Sequence, residues 1–129
     1  MMNFMLVALG GAIGSMLRYG TGLLYLHNGA ASFPWATLSV NLLGGLLIGI
    51  VTGLLATVPA VISDYSQETR LLMIVGVLGG FTTFSAFSLD AVHLFEKGQI
   101  ATALIYILAS VIGALTATAL GLWATRIIT

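Results

Sequence analysis

Apolar positions in this chain do not alternate with polar ones at a short period; they run on between widely spaced charges. Four uncharged stretches result, Met1 to Leu17, Tyr19 to Ser63, Leu71 to Leu89 and Gly98 to Thr125. Each exceeds or approaches the roughly 20 residues that a helix needs to cross hydrocarbon, and the second is too long for one helix. The pattern predicts a first helix from about Asn3 to Tyr25, ending in His27-Asn28-Gly29, and a second from about Pro34 to Val58, with Pro34 suited to a first turn. After the polar loop Ser63 to Arg70, a third runs from about Glu68 to Phe95, broken at about 79–83, and a fourth from about Gln99 to Ile127 after the Lys97-Gly98 turn. Short alternating strands of the outer-membrane barrel type are not visible.

Composition turns this pattern into a class. With 129 residues, 59% hydrophobic and 6% charged, and a mean hydropathy of +1.11, the chain lacks the polar groups to cover a water-soluble surface. The expected fold is an all-α integral membrane protein, a single transmembrane domain over residues 1–129 with four transmembrane helices, the third broken near its middle. The first apolar run has no basic n-region and passes straight into more hydrophobic sequence, so it reads as a retained span and not a signal peptide. The absence of cysteine excludes a disulfide framework and a thiolate metal site. Four basic and four acidic side chains leave no net charge, which argues against nucleic-acid binding and against a polybasic lipid-surface patch.

Four spans put both termini on one side, with Arg70 and Arg126 there and Arg18 and Lys97 opposite. Since excess Lys and Arg in cytoplasmic loops sets orientation, a two-against-two balance predicts a weak preference and insertion in both directions. The plain alternative is a charge-poor chain with no orientation signal.

Small residues mark where helices touch. Gly10, Gly14 and Gly22 recur at multiples of four, with Arg18 completing the series; Asn41, Gly45, Gly49 and Gly53 do the same, and Gly113, Ala117 and Gly121 line one side of the fourth helix. Such stripes permit close backbone approach in lipid, and packing alone explains most of them.

Other groups are not explained by packing. Gly79 to Ser88 reads Gly-Gly-Phe-Thr-Thr-Phe-Ser-Ala-Phe-Ser; glycines and threonines weaken a helix, and a helix weakened inside lipid leaves backbone groups that need partners. Asn41, four residues from Thr37, is either interhelical glue or the lining of a polar cavity. Thr102, Tyr106, Ser110 and Gly113 share a face of the fourth helix and form a ladder of hydroxyls. Phe84 and Phe87, three apart, share a face with Ser85 and Ser88 beside them, and phenyl ring edges near neutral donors stabilise an anion without a formal positive charge. Arg18 at the bilayer centre would cost about 2.5 to 3.5 kcal/mol, so it is expected to snorkel near a helix end. Asp90 is positioned to accept hydrogen bonds near a vestibule or to pair with Arg18. His27 and His93 read as interfacial. No metal cluster, nucleophile with a base partner, phosphate loop or dinucleotide fingerprint appears, so the chain does not read as an enzyme.

These residues resemble the small bacterial fluoride channels known as Fluc or CrcB. The resemblance rests on Gly79 to Ser88, on Val40-Asn41-Leu42-Leu43-Gly44, on Gly14-Ser15-Met16-Leu17-Arg18-Tyr19, and on Tyr106 and Ser110, and it covers essentially the whole chain. It implies a fluoride-selective passive channel of the bacterial inner membrane, relieving cytoplasmic fluoride. The channel would be an antiparallel dual-topology homodimer with two pathways, each using residues of both subunits. By the same resemblance, Phe84 and Phe87 are the ring-edge pair, Asn41 and Ser88 polar ligands, and Tyr106 and Ser110 a hydroxyl track, with Ser85 a further donor and Arg18, Thr37 and Asp90 vestibule or supporting residues. A structural sodium ion on the dimer axis is implied, held by the backbone carbonyls of Gly79 and Thr82 from each subunit. Two departures stand out: Asp90 replaces a glutamate common in the family, and Ala114 replaces a serine that relatives carry, for which Thr116 or Thr118 would compensate. The rival reading is a small dual-topology proton-coupled multidrug exporter, which requires an intramembrane carboxylate early in the chain; the first helix has none. A non-transporting scaffold would leave the clustered polar groups unexplained.

Overall fold

The computed structural model describes residues 1–27, 32–56 and 67–128. All of their regular structure is helical. Helix α1 is Met2–His27 and α2 is Trp35–Ala56. Helix α3 follows a helical turn over 67–69 and comprises Arg70–Leu78 continued by Gly79–Phe81; α4 is Phe84–Glu96 and α5 is Ile100–Ile128. The expected helix-one terminator Asn28-Gly29, the expected end of helix two at Val58 and the first half of the polar loop, 63–66, lie outside the described residues.

Among the described residues, three helical stretches are long and apolar enough to cross a membrane: Trp35–Ala56, Gln67–Glu96 including its break, and Ile100–Ile127. Helix α1 has 26 residues, about 39 Å at the α-helical rise, but carries Asn3 and Arg18 within it. Between 17% and 28% of the residues in the most apolar windows of those three stretches are buried inside the subunit, so the apolar remainder must be covered from outside, as in a membrane protein.

Two tight helix pairs build the subunit, α1 with α3 and α2 with α5. Glycine makes both possible. A methyl added at Gly14 would collide with the Val77 carbonyl and lie 2.7 Å from the Phe81 nitrogen, and one at Gly10 would lie 2.9 Å from the Gly76 Cα. In the second pair, one at Gly49 would meet the Thr118 carbonyl and lie 3.1 Å from the Gly121 Cα, while Gly53 accommodates the Thr125 side chain. Gly22, although in the same series as Gly10 and Gly14, faces open space and lines a cavity instead.

Two features of the third span depart from the simplest sequence reading. Arg70–Leu78 is wound wide as a π-helix, and at its end the Gly79 N–H reaches the Ile74 carbonyl five residues back. Nothing in the spacing of Arg-Leu-Leu-Met-Ile-Val-Gly-Val-Leu signals this. The break, moreover, falls at the threonines. Gly79 to Phe81 remain helical, whereas Thr82 (ψ 158°) and Thr83 (φ −153°, ψ 117°) are extended.

Substituting Gly14→Val is expected to destabilise the purified protein by about 1 to 3 kcal/mol through overpacking of α1 on α3, read by thermal or denaturant unfolding. Gly20→Ala, where an added methyl meets nothing, is expected to be neutral or slightly stabilising. Equal stability of the two variants would contradict the close approach.

Candidate functional site

Thr82 N–H still bonds the Leu78 carbonyl at 3.0 Å, but from Thr83 the third span loses its helical hydrogen bonds in the apolar region, where each unmet backbone group is costly. Asn41 repairs the break from α2. Its Nδ2 donates to the Thr83 carbonyl at 3.0 Å, and its Oδ1 accepts the Thr83 N–H at 2.8 Å. The amide thus serves as interhelical glue with both ends engaged. Thr83 in turn caps α4, its Oγ1 accepting the Ala86 N–H at 3.1 Å with the Ser85 hydroxyl 3.2 Å away.

These bonds decide which backbone groups are released. In an unbroken helix the Gly79 carbonyl would accept from Thr83 N–H, and the Thr82 carbonyl from Ala86 N–H. Both donors are diverted, the first to Asn41 and the second to the Thr83 hydroxyl. The Gly79 and Thr82 carbonyls are thereby left without the donors that a continuous helix would give them. Arg18 reaches the second of them: its Nη1 donates to the Thr82 carbonyl at 3.4 Å. The alternative of an Arg18–Asp90 pair is not what forms. Asp90 Oδ2 instead accepts the Thr37 hydroxyl at 2.6 Å and the Tyr106 hydroxyl at 3.3 Å.

Beside the break lies a cavity of about 350 Å³, lined among others by Asn41, Thr83, Phe84, Phe87 and Ser110. Ser110 is 5% exposed, and its Oγ makes no hydrogen bond within 3.5 Å among the described residues, the Tyr106 hydroxyl being near enough to interact with it more weakly. A buried hydroxyl without a close partner costs about 1 to 3 kcal/mol unless something else meets it, so this one marks a place for a ligand or water. Helix α4 begins at the same cavity, bringing the positive dipole end of its first turn there.

A second cavity of about 350 Å³ lies where α2 starts and α4 ends, its walls including Tyr25, Trp35, Thr37, Asp90, His93 and Lys97. Tyr106 connects the two. Its side chain is fully buried, its hydroxyl bonds Asp90 in the wall of one cavity, and its ring packs on Phe87 in the wall of the other, with centroids 5.4 Å apart. The rings continue in both directions. Phe84 stacks obliquely on Phe87 at 5.4 Å, while Phe33 meets Tyr106 edge-on at 5.5 Å and Trp35 at 4.6 Å. Sequence spacing had no means of joining Phe33 and Trp35 to this file, since they belong to the approach to α2. Nor did it pair Tyr25 with Ser39, whose oxygens are 2.7 Å apart.

Not every expected residue faces these cavities. Ser88 donates to the Phe84 carbonyl of its own helix at 2.9 Å, and Ser85 is exposed. Phe84 is 77% exposed, so half of the ring pair lies on the subunit surface. Ala114 lines the cavity at the break, but the Thr118 hydroxyl bonds the Ala114 carbonyl at 2.9 Å and Thr116 is exposed.

Comparison with known proteins finds relatives over most of the chain. Residues 5–122 match the family model described as CrcB-like protein, Camphor Resistance (CrcB). The chain belongs to the CrcB-like family. A fluoride-specific ion channel FluC of Agrobacterium fabrum is 48% identical over 122 residues, covering 95% of this chain and 94% of that protein. The protein of the same name from Rhizobium johnstonii is 53% identical over 111 residues, 86% of each chain, and that of Chelativorans sp. is 47% identical over 126 residues, 98% of each. The CrcB-like match thus takes in α1, α2, the broken span and nearly all of α5.

Replacing Asn41 by leucine is expected to cost about 2 to 5 kcal/mol, because it strands both the N–H and the carbonyl of Thr83. Thr37→Val, which leaves Asp90 its bond from Tyr106, is expected to cost no more than about 1 to 2 kcal/mol. Reversible unfolding in mild detergent reads both, and the opposite order would contradict the role given to Asn41.

Proposed function

We propose that this CrcB-like protein is a passive, fluoride-selective ion channel that lowers cytoplasmic fluoride across the bacterial inner membrane. The observation that carries the reading is the cavity at the break, where the buried Ser110 hydroxyl, the Asn41 amide, the start of α4 and the Phe84 and Phe87 rings converge without a fixed charge in its lining. The relatives' printed name supports the choice of ion.

A small anion binds strongly to water, so a pathway must replace its hydrogen bonds yet release it. Neutral hydroxyls, N–H groups and positive ring edges at the break meet that need, whereas a cation there would trap the ion. Fluoride would enter by the cavity bounded by Thr37 and Asp90, pass the Tyr106 hydroxyl and reach Phe87, Ser110 and Asn41. Asp90 takes the hydrogens of the Thr37 and Tyr106 hydroxyls, so these two would shape the mouth while the donors to the anion would be the Ser110 hydroxyl and the Asn41 amide further in. Ser85 would contribute a hydroxyl on the outer face of α4, and Ser88 would do so only by giving up its bond to the Phe84 carbonyl.

The working unit in this reading is an antiparallel, dual-topology homodimer of four-span subunits, with two pathways. The exposure of Phe84 supports a second copy completing the ring-lined wall. A structural sodium ion on the dimer axis would be held by the Gly79 and Thr82 carbonyls of both subunits, and the diversion of their helical donors supports that assignment. The cation would neutralise carbonyl oxygens gathered in a low-dielectric interior.

Reconstituted into potassium-loaded liposomes with valinomycin, the protein is expected to release fluoride, followed by electrode, and to retain chloride. Asn41→Asp and Ser110→Ala are each expected to slow release by about tenfold or more, the loss of one hydrogen bond to a charged group being about 1.5 to 3 kcal/mol, and Phe84→Ile to slow it by removing a positive ring edge. A folded dimer that releases no fluoride would overturn the proposal.

A further inference from the structure

Arg18 lies one helical turn beyond Gly14, which is packed on Val77 and Phe81, so the α1–α3 glycine contact delivers the guanidinium to the break. Its bond to the Thr82 carbonyl is long, 3.4 Å, and so more an ionic attraction than a fixed hydrogen bond. That carbonyl has lost its helical donor at the break, and it is the same oxygen that the axial-cation reading assigns to sodium. A carbonyl has two lone pairs, and sterics alone do not forbid two partners, but two positive charges on one oxygen repel strongly in a low-dielectric interior.

We infer that Arg18 is an internal counter-cation for the break: it satisfies the Thr82 carbonyl while a subunit is alone and weakens the hold on the axial ion once two subunits meet. This rests on the axial-cation reading above. Arg18 is a positioning residue here and need not touch the permeant anion. The arrangement solves an assembly problem, because a subunit inserted singly would otherwise carry an unmet carbonyl in the membrane.

The test uses the full-length protein in detergent, with sodium chloride titrated against choline chloride at constant ionic strength. Melting temperature and the dimer fraction, from fluorescence transfer between labelled subunits, are the readouts. Arg18→Gln is expected to lower the sodium concentration for half-maximal stabilisation by about tenfold or more, as removal of a nearby like charge requires. Without sodium the variant is expected to melt below the wild type, and to close that gap as sodium is added. A purely structural role for Arg18 would lower the melting temperature equally at every sodium concentration, and that outcome, or an unchanged or raised midpoint, overturns the inference. Should the glutamine variant fail to fold, Arg18→Lys, whose ammonium falls short of the guanidinium's reach, is expected to shift the midpoint the same way by about threefold; no shift, or a shift upward, overturns it. Indifference of both wild type and variant to sodium sinks the axial-cation reading itself, whereas equal midpoints in two responsive proteins sink only the part given to Arg18.

Discussion

The pairing of one side-chain amide with one extended residue organises this molecule. A membrane span can be interrupted only where protein replaces the missing backbone bonds, and Asn41 does so with its donor and acceptor on the carbonyl and N–H of Thr83. The consequences spread outward. Because Thr83 N–H is turned toward Asn41, the Gly79 carbonyl loses its helical donor; because the Thr83 hydroxyl takes Ala86 N–H, the Thr82 carbonyl loses its own. A single repair thus leaves two carbonyls without their helical donors, one of them met by Arg18, and starts a new helix within the span.

The pairing demands that α2 and the third span keep a fixed register, which explains where the glycines are needed. Gly45, Gly49 and Gly53 seat α2 against Thr118, Gly121 and Thr125 of α5, while Gly10 and Gly14 seat α1 against α3. Two tight pairs leave looser space between them, and that is where polar and aromatic groups collect. Tyr106 is central to this space. With its ring on Phe87 and its hydroxyl on Asp90, it joins the apolar lining at the break to the carboxylate at the cavity mouth.

Much of this was legible in the chain. Long uncharged runs define the helices because hydrocarbon tolerates little else, and glycine stripes mark close contacts because no other residue lets backbones meet. The site was legible where chemistry was out of place: an amide, clustered hydroxyls and paired rings among aliphatic side chains. What sequence could not supply was direction. Gly79 and Gly80 suggested a break through weak helix propensity, yet they stay helical, and a methyl at Gly80 would lie 2.7 Å from the Gly11 carbonyl. The extended residues are Thr82 and Thr83, held so by a partner 42 positions away. Likewise the choice of Thr82 over Asp90 as partner of Arg18 depends on how α1 lies on α3, a tertiary fact with no signature in spacing. The wide winding of Arg70–Leu78 has no local cause in the sequence either.

The central claim is that Asn41 keeps Thr82 and Thr83 extended within the membrane. Solid-state NMR of threonine-labelled protein in lipid bilayers measures it directly, since threonine Cα and Cβ shifts separate extended from helical backbone. The account predicts extended shifts for both residues in the wild type, and their loss or broadening toward helical values in Asn41→Leu. Helical shifts for either residue in the wild type, or extended shifts undisturbed by the substitution, would contradict it.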